Sequence, residues 1–318
     1  MTTMERIQIC QAVVDQIQLE SRRPLCRIGL SRSPFGIADS HLGGVPYVPR
    51  NGEIPTDQDG NQLWLCAQIN FAQMPPLEGF PRAGILQIFL SDRRIDGGFG
   101  LRSGGAGRVQ DYWRAVCYPE VDETVTEAEC RAKMVIPWEE ATKTNMPRPA
   151  CQWDLREIAQ GVTKLWRAPE VPLKIRFGPA EQESVCMGDV RFFRYFDRAA
   201  KTLRPGEDPK DFYPFDIWDR TDQEREALLR VREQCKSGGC KLGGYPLFLM
   251  RDPREKSPEL AAWDTLLFQL DDDAYYYPTG DVGEQDLNLN TGTLNFLIRS
   301  EDLKNGDFSR IVGQFAYL

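Results

Sequence analysis

Apolar residues recur at Ile7, Cys10, Val14 and Ile17, the spacing of one helical face, and predict an amphipathic helix over residues 5–20. The period then drops to two. Cys26, Ile28 and Leu30 alternate with Arg27, Gly29 and Ser31, as in a half-buried strand. Helical spacing returns at Trp153, Ile158, Val162 and Leu165, predicting a second helix over residues 153–167. A third is predicted over residues 222–236, through Leu228, Leu229, Val231 and Cys235. Thr221 or Asp222 can cap its start, and Gly238 and Gly239 can supply a left-handed stop.

The strand patterns come twice. HLGGVPYVPR begins at His41 and KLGGYPLFLM at Lys241, so Leu42, Gly43, Gly44 and Pro46 match Leu242, Gly243, Gly244 and Pro246. Glycine permits positive φ there, and the proline forces extended chain before it, so both segments read as structural turns. The apolar strand LWLCAQIN follows the first copy, after a turn centred on Asp59-Gly60, and TLLFQLDD follows the second. An offset of 201 residues places Leu65, Ala67 and Ile69 on Leu266, Phe268 and Leu270, and Gln68 on Gln269. GILQIFL and GTLNFLI then align Gln87 with Asn295, and WRAVCYP resembles SRIVGQFAYL at the end of the chain. These patterns predict an internally duplicated α+β fold, with two related, mostly antiparallel sheet units and flanking helices. Residues 1–120 form the first half with its helix, 121–221 a connecting insertion that the pattern leaves unread, and 222–318 the second half. Together they are expected to form one compact pseudo-symmetric unit.

Composition narrows the chemistry. A net charge of −8 argues against nucleic acid as a partner, since phosphate contacts need a basic surface. No apolar run approaches the ~18 residues of a membrane helix, and the first residues, with Glu5 and Asp15, lack the core of a secretion signal. Nine cysteines, an odd number, fit reduced thiols and a cytoplasmic location.

No catalytic constellation is complete. The glycines from Gly97 to Gly107 break the dinucleotide fingerprint, and neither Gly-Gly turn is followed by a phosphate-loop Lys-Ser or Lys-Thr. His41 is the sole histidine, which excludes metal sites needing two, and its counterpart is Lys241. The Asp57–Asn61 segment places glycine at the wrong position for a calcium loop, and Gln68 stands where the bidentate Glu belongs. Neither cofactor nor metal is expected. The candidate binding residues are Gln68, Gln87, Gln269 and Asn295, amides that interrupt apolar strands, where they tie strands together or meet a ligand. Asp271 and Asp272 are further candidates, in an acidic run that can meet a cation or basic partner or mark a solvated strand end.

With SHLGGVPYVP, IPTDQDGNQLWLCAQINF, GILQIFLSD, KLGGYP, LLFQLDDD and GTLNFLIRSEDLKNGDFS in view, the sequence resembles the YwqG-like family of bacterial proteins, a domain of unknown function (DUF1963). The resemblance implies an α+β fold with internal duplication and no established reaction. Related genes occur at loci that include toxin and immunity genes, which implies a toxin-neutralising role and a partner encoded nearby. The expectation is a non-enzymatic cytosolic binding protein acting on another protein. The alternative is a small-molecule sensor, or an enzyme, using a cleft between the halves.

Overall fold

The computed structural model describes residues 2–90, 113–138, 172–214, 221–248, 252–255, 257–271 and 292–317. The helix predicted over 153–167 lies outside them. Ten strands form one continuous sheet: β1 (Arg23–Ser31), β2 (His41–Leu42), β3 (Trp64–Asn70), β4 (Ile85–Leu90), β5 (Trp113–Tyr118), β6 (Leu173–Glu183), β7 (Lys241–Gly243), β8 (Thr265–Asp271), β9 (Gly292–Ile298) and β10 (Ile311–Tyr317). The spatial order is β10-β9-β8-β7-β1-β6-β2-β3-β4-β5, and every neighbouring pair is antiparallel. The fold is α+β, as expected, but its strands do not separate into two sheets.

The centre of the sheet explains why. β1 pairs along its length with β6, while β1 also takes β7 as neighbour and β6 takes β2. Strand β1 therefore lies beside the strands of residues 241–317, and β6 beside those of residues 41–118. Strand β6 came from the unread middle, although Leu173, Ile175 and Phe177 alternate there with Lys174 and Arg176.

The sheet curls nearly into a barrel, and its concave face is the main core. Ile28 and Leu30 of β1, Cys66 and Ile69 of β3, Ile88 and Leu90 of β4, and Phe268 and Phe296 of β8 and β9 belong to one buried cluster. The Trp113 ring of β5 reaches across to Phe296 at 5.4 Å between centroids. Phe71, after β3, stacks on Phe308, before β10, at 6.0 Å. Each such side chain contributes roughly 1.5–3 kcal/mol on full burial, so the two halves share a core rather than flank a gap.

Helices cover part of the outside. Helix α1 (Thr3–Glu20) starts at a capping box between Thr2 and Glu5 and buries Ile7, Cys10, Val13, Val14 and Ile17. After the one-turn helix α2 (Glu127–Arg131), α3 (Phe192–Leu203) and α4 (Asp222–Glu233) pack against α1 in a second cluster with Tyr245. A last short helix, α5 (Ser300–Lys304), precedes β10. None of the described helices is long and apolar enough to cross a membrane.

Candidate functional site

The repeated glycine turns take the backbone the sequence requires: φ is 65° and 82° at Gly43 and Gly44, and 74° and 70° at Gly243 and Gly244. Each turn lies against the face of the sheet that carries the strand amides. Gln68 Oε1 accepts from the backbone N–H of Tyr47 at 2.9 Å, and Gln269 Oε1 accepts from that of Leu247 at 2.8 Å. The amide nitrogen of Gln68 donates to the carbonyls of Ile37 and Asp39, both at 2.8 Å, and that of Gln269 to Gly239 at 2.9 Å. One strand further out, Gln87 donates to the Tyr47 carbonyl at 2.7 Å, and Asn295 to that of Leu247 at 2.8 Å. All four amide residues are fully buried. These bonds run to backbone in or leading up to the turns; Gln87 also donates to Gln68 at 2.7 Å, and Asn295 to Gln314 Oε1 at 3.5 Å.

Other signature positions are equally enclosed. Asp271 is buried and accepts from the Gly239 N–H at 2.7 Å, so it is no solvated strand end, while Asp272 lies outside the described residues. Pro46 and Pro246 follow the two turns in buried chain. The Lys241 ammonium, wholly buried, donates to both Glu183 carboxylate oxygens at 2.7 and 2.8 Å and to the Ser237 hydroxyl. Burial pushes its pKa below the ordinary lysine value, and the Glu183 charge only partly offsets that.

His41 takes the matching place without an acid. Its Nδ1 lies 2.7 Å from the Gly43 carbonyl, which only accepts, so Nδ1 carries the proton. Nε2 is then a buried acceptor that no donor among the described residues reaches. The ring stacks on Phe35 at 4.6 Å, and burial lowers its pKa to about 4.

One cleft of about 710 Å³ opens on the surface beside the first half. One wall is the turn from Gly52 to Asn61, the other the segment from Lys133 to Ile136, and Trp64 lines it as well. Gln62 fixes the two walls together: its Oε1 accepts from Val135 and Ile136 N–H at 2.8 and 3.1 Å, and its Nε2 donates to the Ile136 carbonyl at 3.0 Å. The Lys133 ammonium donates to the carbonyls of Pro49, Arg50 and Gly52 at 2.6, 2.7 and 2.7 Å. Trp138 meets Trp64 edge-on at 6.3 Å. Val135, 87% exposed, and Ile136, 42% exposed, stand at the rim.

Residues 40–316 match the sequence profile of the Domain of unknown function (DUF1963). The chain belongs to this family. No protein among the curated ones matches it.

In this DUF1963 domain the groups that burial perturbs are spent within the fold. Burial alone would raise the Asp189 carboxyl, but Arg191 at 2.6 Å and Arg254 at 2.8 Å hold it at about 2. Arg254 also pairs with Asp252 at 2.6 Å, and Arg23 and Arg191 each lie about 5 Å from the centre of the Tyr245 ring. The eight described cysteines are free thiols, and burial pushes those of Cys10, Cys26, Cys186 and Cys235 up to about 12, away from reactive thiolate. Among the described residues, no three His, Cys, Asp or Glu side chains converge as metal ligands. In the Asp57 turn, the carboxylate instead accepts from the N–H groups of Asp59 and Asn61, both at 2.9 Å. Sequence reasoning did not single out Glu183 or the Asp189–Arg254 cluster. Nor did it find the cleft, whose walls lie some 74 residues apart, as Gln62 and Ile136 do.

Proposed function

We propose that this chain is a non-enzymatic binding protein whose partner is another protein, with a toxin encoded nearby as the candidate. One observation carries the reading: the polar side chains of the repeated signature are turned inward, while Val135 and Ile136 are held outward at a cleft. Solvent-exposed apolar side chains on a rigid support suit docking better than chemistry. A net charge of −8 would speed encounter with a basic partner. The free thiols fit a cytoplasmic location.

Internal duplication belongs to the same reading. Its support is a set of matching contacts. The 40-to-70 contact (Ser40 hydroxyl accepting from Asn70 N–H, 2.8 Å) matches the 240-to-271 contact (Cys240 sulfur accepting from Asp271 N–H, 3.4 Å). The register slips at Cys66 and at Leu267, the same place in both strands. A structural signature written twice leaves the differing insertions to carry function.

The test is co-expression with the product of the neighbouring gene. The expected outcome is a stable complex and protection of the cells. Free migration of both proteins, with undiminished toxicity, refutes the reading. A second reading, a small-molecule sensor or an enzyme, draws on the volume of the cleft, which falls within the ~300–1,000 Å³ of ligand pockets. A melting temperature that rises with the concentration of a metabolite would favour it.

A further inference from the structure

We propose that the cleft beside Trp64 docks an extended segment of a protein partner, one that seats an apolar side chain next to a basic one. The inference rests on the protein-partner reading and adds the place and the chemistry of contact.

The cleft is built before anything enters it. Gln62 holds the Val135–Ile136 wall by three hydrogen bonds, and Lys133 ties it to the Pro49–Gly52 backbone, where the other wall begins, by three more. A partner therefore does not have to order either wall, which lowers the entropic cost of binding. Trp64 and the two exposed aliphatic side chains form the apolar part, the composition expected where an anchor residue seats.

The charge around the cleft selects the neighbour of that anchor. Arg50 is engaged by Asp122 at 2.5 Å and by Glu129 at 3.1 Å, and Arg131 by Glu127 at 2.9 Å. The Lys133 ammonium faces backbone carbonyls. Glu53 lines the same cleft, is exposed, and makes no ion pair among the described residues. At Glu53 an incoming Lys or Arg meets an open carboxylate, while Lys133, the base in the same lining, has its ammonium taken up by the three carbonyls.

The test selects a phage-displayed library of random dodecapeptides on the full chain. Enrichment of a large apolar residue flanked by Lys or Arg is expected. The commonest peptide, made synthetically, should bind at least about tenfold more weakly to Val135→Ser, a loss of ~1.4 kcal/mol. It should also weaken on Glu53→Lys, and its affinity for the parent should fall with added salt. Both side chains are exposed, so both variants should melt like the parent. Peptides without basic residues, or peptides indifferent to both substitutions, overturn the proposal, and so does a selection that enriches nothing. Indifferent peptides leave the broader partner reading standing, because they bind elsewhere. That reading fails separately, if co-expression yields neither complex nor protection. A metabolite thermal shift abolished by Val135→Ser, with no peptide enriched, assigns the cleft to a small molecule instead.

Discussion

Replacing Gln269 with leucine keeps the bulk and removes both hydrogen bonds that this side chain makes to the second turn and its approach. The Leu247 N–H then loses its acceptor at 2.8 Å, and the Gly239 carbonyl its donor at 2.9 Å. The site is fully buried, so water does not replace either partner. Each orphaned group costs ~1–3 kcal/mol, or about 2–6 kcal/mol together. Leucine returns roughly 1 kcal/mol through its more apolar side chain, which leaves a net loss near ~3 kcal/mol. That is a large share of the ~5–15 kcal/mol that holds a typical protein folded. The companion Gln68→Leu should cost more, because Gln68 makes four bonds: two accepted, from Tyr47 and Gln87, and two donated, to Ile37 and Asp39. The assay is urea denaturation followed by fluorescence and circular dichroism, with coincident transitions required. The midpoint should fall at unchanged slope, further for Gln68→Leu than for Gln269→Leu. A Gln269→Leu protein that melts like the parent would refute the reasoning. So would the reverse order of the two variants.

Three more outcomes follow from the same geometry. His41 is held neutral by burial, with a folded pKa of about 4 against 6.5, so the unfolded chain binds its proton first as pH falls. Stability contributed at this site should drop by about 3 kcal/mol between pH 6.5 and 4, and the pH profile of His41→Gln, measured by chemical denaturation, should lack that component. Lys241→Met strands the buried Glu183 carboxylate and should cost ~3–5 kcal/mol, with Lys241→Met/Glu183→Gln recovering part of it in a double-mutant cycle. Gly243→Ala should be far worse than Gly60→Ala in thermal melts, although both have positive φ. A Cβ at 243 meets the Pro24 carbonyl oxygen at 2.6 Å, while one at 60 meets nothing within 4 Å and bears only the ~1–2 kcal/mol of the left-handed backbone.

The readable parts of this fold are those whose physics is local. The period-two runs around Gln68 and Gln269 become strands because alternate residues face a core on one side and a covering turn on the other. Gly43 and Gly243 mark positive φ because other residues disfavour it. The pairing of β1 with β6 at the centre of the sheet was not legible, since joining Ile28 to Phe177 depends on chain about 150 residues away. Helix α3 carried its own signal in Phe192, Phe196 and Ala199, overlooked among the charged residues around it. The pairing of Lys241 with Glu183 was hidden for another reason. An acid at the polar end of a strand reads as solvated until the tertiary fold closes over it. The cleft depends on Gln62 meeting Val135 and Ile136, a contact no periodicity announces.

The central claim is that the doubled signature is scaffolding, a pair of turns clamped by matching buried amides. Native-state hydrogen exchange at the Tyr47 and Leu247 backbone N–H groups tests it most directly. Both donate to buried amide oxygens, so both should exchange only through global unfolding, with equal protection and the same denaturant dependence. Rapid exchange at either N–H, insensitive to denaturant, would contradict the claim and show a turn that opens on its own.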